Sequence, residues 1–554
     1  MSSETTAGAE CAGGLGVGRA QVTVDVTRRA PLRRIWRYAG YDEPNYTYTP
    51  NGRALLAKLA AMSDGPYAIR CHFLLCSGDG TPSLKWGSTN VYTEEADGTP
   101  IYDWTIIDRI FDTYAGLGLI PFVELGFTPQ ALTTAPADTP YADPRHGGWR
   151  YPPRDYGRWL ELVRTLVAHC RDRYGRAAVS QWYWELWNEP DIFYWAGSVQ
   201  EYCRLYDYTV AGLKAALPEA RVGGPATTSS ADRATSTDFL RAFLQHVTRG
   251  VNHLTGAQGT ALDFISYHAK GGSFPRRADT PKITPSIYTL LNNVQASLAV
   301  VDEFPELAGC AVHLTECDPD GWAAGTIHDN ANLFYRNTEY YASYVACTVC
   351  KLSRHVSAAG RQVDSMLTWA FLFEGRAYFE GFRTLSTNGV DKAVLNVFRL
   401  LAKLGGTRLA LTSDRAVDPL SRGRGDDRAS LPDIDGLAAL DETNGIQVFL
   451  SSHHDDWDVT TPSEIAIRVE GVEPGRRYRV DASLVAKGSA NAYTVWDAMG
   501  RPQPPSAEQL AAMQRAARVQ PQALGEITAA ADGLSLSLPL PSHSACLVQF
   551  VPVD

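Results

Sequence analysis

A chain of 554 residues that is 45% apolar and 20% charged has an ordinary globular composition. It is too long for one compact domain unless that domain is a barrel, so two domains are expected. A formal net charge of −10 excludes electrostatic attraction to nucleic acid or to an anionic membrane, and no basic run is interleaved with aromatics.

Ten cysteines at scattered positions make no disulfide framework. Cys347 and Cys350 are spaced like a metal or redox pair, but they continue an apolar helical run from Tyr340 and lack a second pair, which fits core packing. The first ten residues hold neither a basic nor an apolar stretch, and nowhere do 18 apolar residues run together. That predicts a cytoplasmic protein with no membrane partner. Residues 1–18 read as a flexible tail. The glycine run from Gly13 to Gly18 fails the dinucleotide fingerprint because Arg19 stands where the third glycine belongs.

Residues 19–29 contain an alternating run, Gln21 to Val26, that predicts a half-buried strand. From Trp36 the rhythm becomes strand, turn, helix. Strand-like runs fall at Tyr67 to Phe73, Ile120 to Leu125, Trp182 to Leu186, Arg221 to Gly224, Phe264 to His268, His313 to Thr315 and Met366 to Trp369. The segment Tyr156 to Tyr174 carries the helical period. Strands alternating with helices predict an α/β fold with a parallel sheet, here a (β/α)8 TIM barrel over residues 30–408. Beyond a Pro, Gly, Arg and Asp-rich loop between Arg415 and Asp435, short alternating strands such as Ile446 to Leu450, Ile465 to Val469 and Leu534 to Leu538 predict an accessory C-terminal β-sandwich over 409–554. One helix, Ala507 to Arg518, interrupts it.

The chemistry concentrates at two strand ends. Trp182 to Pro190 is a β-prone aromatic run that stops at Asn188-Glu189-Pro190, where the proline cannot donate to a ladder. Glu189 therefore sits at the C-terminal end of a strand, the face whose loops build the site in a parallel barrel. Alone, it reads more readily as a carboxylate paired with an arginine at the rim. A second carboxylate, Glu316, ends the apolar run Ala311 to Thr315. Glycoside hydrolysis with retention needs such a pair, one carboxyl protonated to help the leaving oxygen and one ionised to attack the anomeric carbon.

These stretches resemble the large clan of retaining barrel glycosidases, with Asn188-Glu189-Pro190 and Thr315-Glu316 matching its two signatures. More narrowly, the chain resembles family 39 of the glycoside hydrolases, which holds β-xylosidases and α-L-iduronidases. Arg70-Cys71-His72-Phe73, Pro121 to Leu125, Gly223-Gly224-Pro225, Leu262 to His268 and Asn388 to Lys392 support it in family order, from Trp36 to Leu404. The resemblance implies Glu189 as acid/base, Glu316 as nucleophile, Asn188 on the sugar 2-hydroxyl, and His72 and His268 lining the terminal-sugar subsite. It also implies that the 19–29 strand pairs with the C-terminal domain.

Trp369 and Glu374, at the end of the presumed eighth strand, offer an indole face and a carboxylate for two hydroxyls, though Trp369 also reads as core filler. Glu185, deeper on its strand, reads as a paired structural carboxylate. Lys270 and Arg383 match basic residues with which the iduronidase branch holds a uronate carboxylate, yet a third residue of that cluster, an Asp, has no counterpart here. Neutralisation by Asp318, Asp320 or Glu374 is therefore the expected state. No metal or cofactor is implied, and His453-His454-Asp455-Asp456 reads as a solvated turn. The function expected is a retaining exo-glycosidase of β-D-xylosidase type, taking terminal sugars by double displacement from a small oligosaccharide or glycoside already inside the cell. An α-L-iduronidase or α-L-arabinosidase on the same scaffold, or a non-catalytic carbohydrate-binding barrel, are the alternatives, and a homo-oligomer is left open.

Overall fold

The structure is a computed structural model that describes residues 18–229, 233–277, 279–370, 373–422 and 431–553. Residues 1–17, most of the expected tail, lie outside the described residues. The described chain opens with β1 (Gly18–Pro31) and then enters the barrel. Eight strands close it in chain order: β2 (Tyr38–Tyr41), β3 (Ala68–Cys71), β4 (Ile120–Leu125), β5 (Tyr183–Leu186), β6 (Arg221–Thr227), β7 (Phe264–Lys270), β8 (Ala311–Asp318) and β9 (Ser365–Trp369). Each is followed by a helix: α1 (Pro50–Ala60), α2 (Thr105–Gly116), α3 (Tyr156–Tyr174), α4 (Val199–Ala216), α5 (Ala234–Arg249), α6 (Ile287–Asp302), α7 (Glu339–Leu352) and α8 (Ala393–Leu401). All neighbouring pairs are parallel, and β9 returns to pair with β2. This is the expected (β/α)8 barrel.

Strand parity builds its interior in layers. The lowest is aromatic: Phe122, Tyr183, Phe264 and the buried His313 pack together, with Phe122 stacked on Tyr183 at 4.8 Å. Two residues beyond Ala68, Phe122 and Tyr183 come Arg70, Glu124 and Glu185, all fully buried. Arg70 Nε lies 2.6 Å from Glu185 and Nη2 lies 3.0 Å from Glu124, so one guanidinium holds two carboxylates under the mouth of the barrel. Removing only the cation leaves both anions stranded in a dry interior, which costs about 3–5 kcal/mol. Arg70→Met is therefore expected to lower the melting temperature by several degrees, and an unchanged melting temperature would contradict this role.

The strands β10 (Thr407–Ser413), β11 (Asp433–Leu440), β12 (Ile446–His453), β13 (Ser463–Glu470), β14 (Arg477–Val485), β15 (Pro521–Thr528), β16 (Leu534–Leu540) and β17 (Ser544–Val553) form the second domain. They join β1 in one nine-stranded sheet of order β15-β14-β17-β12-β11-β10-β1-β13-β16. Only three residue pairs, Thr407 with Leu440 through Leu409 with Ala438, link its two wings, and both wings bury a single apolar cluster as the halves of a sandwich do. β1 lies between β10 and β13, so the described residues open inside the C-terminal domain. It runs to Pro31 and β10 starts at Thr407, which puts the crossing at Gly405-Gly406, just before the expected boundary. Among its described residues the domain holds, besides the short helical turn Pro419–Arg422, two helices, α9 (Ala492–Ala498) and α10 (Ala507–Ala516), where the sequence indicated one.

The β-domain docks on the last helices of the barrel. Lys351 of α7 reaches Asp433 at 2.7 Å and Asp435 at 2.8 Å, and the Asn396 amide of α8 donates to the carbonyls of Ala490 and Ala517. The expected solvated turn at His453 is part of this contact. His453 is buried with Nδ1 2.9 Å from Ser343 Oγ, and the Asp455 carboxylate accepts the first backbone N–H of α6. The alternating pattern there could not reveal that a helix covers the strand end.

Candidate active site

Glu189 and Glu316 meet at the C-terminal mouth of the barrel because the backbone departs from regular strand at three places. After β5 the chain turns through Trp187 at φ +69° and Glu189 at φ +43°, a left-handed region that costs a non-glycine residue about 1–2 kcal/mol. The Glu189 N–H is anchored on the carbonyl of Ala226 at 2.9 Å, and Ala226 itself sits at φ +52° where the β6–β7 register slips. On β8 the register against β7 slips between Leu314 and Glu316. Strict alternation from His313 would turn Thr315 inward. The slip instead pairs Glu316 with His268 and Asp318 with Lys270, aiming both carboxylates into the mouth.

One oxygen of Glu189, one nitrogen of His268 and one oxygen of Glu316 all lie within 4.8 Å of one another. His268 Nδ1 is 2.9 Å from Glu189 Oε1. Lys270 Nζ is 2.5 Å from Glu316 Oε2, and Arg70 Nη1, His72 Nε2 and His268 Nδ1 lie 3.6, 3.5 and 3.9 Å from its other oxygen. Burial works against the charged form of Glu316, but Lys270, His268 and His72 overcome it and hold its pKa well below the ordinary glutamate value. Glu316 is ionised.

Glu189 differs from expectation. Burial raises its pKa and so does the charge of Glu316, but the hydrogen bond and charge of His268, with help from Lys270, leave it below the ordinary value. His72 is the reverse case. Burial would lower its pKa, yet the charge of Glu124 and the nearby carboxylates of Asp42 and Glu316 carry it to about 9. Glu124 itself is lifted to about 7, chiefly by burial.

Of the other residues singled out from sequence, Asn188 is held by Arg70 Nη2 on its Oδ1 at 3.1 Å, which leaves its buried Nδ2 without a protein partner, as is His268 Nε2. Trp369 packs its ring 4.4 Å from the His72 ring, and Gly40 on β2 makes room, since a Cβ there would come within 2.4 Å of the indole. Lys270 also reaches Asp318 at 2.5 Å. Arg383 contacts Asp318 at 3.2 Å and Asp320 at 3.3 Å, and Arg336 contacts Asp320 at 2.6 Å. Lys270, Arg383 and Arg336 thus face Glu316, Asp318 and Asp320, three cations against three carboxylates. Burial still lifts Asp318 above the ordinary aspartate value, against the pull of Arg383 and Lys270.

Glu374 is a correction. Its carboxylate accepts the Asn51 N–H at 2.7 Å and the Asn51 amide at 2.8 Å, so it closes the N-terminus of α1 instead of presenting free oxygens to a sugar. Sequence reasoning missed Asp42 and Lys85 altogether. Arg70 and Glu124 share strand parity with His72 and with Phe122, the signal that turns them inward.

A second group able to gather metal-type ligand atoms among the described residues is Asp207, His246 and His253. There the Asp207 carboxylate already accepts from both imidazoles, from the His253 N–H and from Thr260 Oγ1, an arrangement that ties α4 to α5 and the following loop.

The sequence profile described as Glycosyl hydrolases family 39 matches residues 20–533. Among curated proteins, a β-xylosidase of Geobacillus stearothermophilus is 28% identical over 519 residues, covering 90% of this chain and 88% of its own. An α-L-iduronidase of Mus musculus is 25% identical over 541 residues, covering 89% and 75%. Among solved structures, a monomeric β-xylosidase from Caulobacter crescentus superposes with a TM-score of 0.74 at 22% identity, covering 97% of this chain and 100% of that one.

Proposed function

The chain belongs to glycosyl hydrolase family 39 and is a glycoside hydrolase, and from that premise we propose that it is a retaining exo-glycosidase releasing a neutral terminal pentose, β-D-xylose foremost. The observation that carries the choice of sugar is the balanced cluster beside the nucleophile. Lys270 and Arg383, the cations suited to a uronate, are already satisfied by Glu316, Asp318 and Asp320, so a substrate carboxylate would enter without an uncompensated partner. The β-xylosidase named above supports the same choice.

The mechanism follows from the groups in place. Glu316, ionised, attacks the anomeric carbon while Glu189 delivers a proton to the departing oxygen. Glu189 Oε1 lies 2.9 Å from His268 Nδ1, the group from which it can draw that proton. Attack consumes the charge of Glu316, which is one of the influences raising the Glu189 pKa. Glu189 therefore becomes a weaker acid-holder once the glycosyl-enzyme forms, and in the second step it takes a proton from water. The approach of a Glu189 oxygen to within 4.8 Å of Glu316 supports retention, because an inverting pair stands about 6.5–9.5 Å apart to admit water. The unpartnered Asn188 Nδ2, a donor, and His268 Nε2 are polar atoms left for sugar hydroxyls.

A panel of nitrophenyl glycosides tests the reading: β-xyloside, α-arabinofuranoside, α-arabinopyranoside, α-iduronide and β-glucoside. The β-xyloside is expected to be hydrolysed fastest and the α-iduronide not at all, and Arg383→Ala is expected to weaken turnover of every pentoside. Turnover confined to the α-iduronide, with Arg383→Ala harming that substrate alone, would overturn the neutral-sugar assignment.

A further inference from the structure

Asp42 stands one residue past the end of β2, buried at 4% exposure. It touches three functional groups at once. Its Oδ1 lies 3.2 Å from His72 Nδ1 and 3.3 Å from Trp369 Nε1, and its Oδ2 is ion-paired with Nζ of Lys85. Lys85 comes from the long loop between β3 and α2, where the backbone turns at φ +61° and its N–H is fastened to Glu43 Oε1 at 2.7 Å. Its side chain is 35% exposed, so the pair runs from solvent to the floor of the site.

His72 carries the effect onward. Its Nε2 faces Glu316 Oε1 at 3.5 Å and Glu124 Oε2 at 3.3 Å, with Arg70 Nη1 at 3.3 Å beside it. The ring is enclosed by Trp369, Phe73, Phe127 and Tyr194. A carboxylate 3.2 Å from Nδ1 favours the protonated ring and holds the orientation in which Nε2 faces Glu316 and Glu124. The same carboxylate holds the indole that packs on that ring.

We propose that Asp42 and Lys85 are positioning residues for the nucleophile. Lys85 keeps Asp42 ionised and in place, Asp42 orients His72 and Trp369 together, and His72 holds the Glu316 carboxylate in line with the anomeric carbon. Seating of the loop that carries Lys85 is thereby coupled to the readiness of the site. The inference rests on Glu316 being the nucleophile.

The test uses the full chain with nitrophenyl β-xyloside, comparing wild type, Asp42→Asn, Lys85→Met and Lys85→Arg, and follows His72 by NMR of ring-labelled histidine. Asp42→Asn is expected to lose about 10²-fold in kcat with KM changed less than about threefold, as a small misplacement of a reacting group does. Its His72 titration is expected to move to lower pH, since the anion on Nδ1 is gone while Glu124, Glu316 and Arg70 remain. Lys85→Met is expected to lose about tenfold, and Lys85→Arg to recover most of it. An Asp42→Asn enzyme with kcat within about threefold of wild type and an unmoved His72 titration would overturn the proposal, as would Lys85→Arg no better than Lys85→Met. A wild type that turns over no glycoside of the panel would remove the nucleophile reading and this inference with it, a result set apart from the others by the wild-type control.

Discussion

Glu316→Ala is expected to lose about 10⁴-fold or more of kcat on every substrate the wild type accepts while remaining folded. The fold should survive because the neighbours of Glu316 keep other partners. Lys270 retains Asp318, Arg70 retains Glu124 and Glu185, and His72 retains Asp42 and Glu124. Azide added to this variant can enter from the side the carboxylate vacated. It is expected to yield the glycosyl azide of inverted configuration from an activated substrate, because Glu189 is still there to assist the leaving group. Chiral analysis of the azide product checks this. An azide product of retained configuration would mean that a nucleophile other than Glu316 survives.

Glu189→Ala has a loss that depends on the leaving group. A general acid contributes about 10²–10⁴-fold where the departing oxygen needs a proton and little where it does not. Xylobiose is therefore expected to suffer the full loss in the first step, while a dinitrophenyl xyloside forms the glycosyl-enzyme almost normally and stalls at its hydrolysis, where the base is missing. A pre-steady-state burst with the activated substrate is the observable. Equal losses on both substrates would contradict the acid/base assignment.

The barrel was legible because its signals are local and repeated. Pro190 and Gly405-Gly406 mark real ends, and the runs at Phe264 and Met366 are strands where they were expected. Glu189 and Glu316 could be located by their position after apolar runs, but their convergence depends on register slips at Ala226 and Thr315 that no alternation pattern predicts. Glu374 sits near the strand end that nominates sugar ligands, yet the N-terminus of α1 is 323 positions away in sequence and claims it in space. Lys85 and Asp42 illustrate the opposite difficulty. Nothing in a loop lysine announces a carboxylate 43 positions earlier, and only the closed barrel sets both against His72. The downward shift of Glu189 was hidden for the same reason, since burial was readable and the His268 hydrogen bond was not.

Mechanism-based labelling tests the central claim most directly. A 2-deoxy-2-fluoro-β-xyloside with an activated leaving group slows both steps but the second more, so a retaining enzyme accumulates its covalent intermediate. Intact mass is expected to rise by one fluoroxylosyl group, and peptide mapping is expected to find it as an ester on Glu316. An adduct on any other residue, or no adduct together with release of the inverted sugar as first product, would contradict the account.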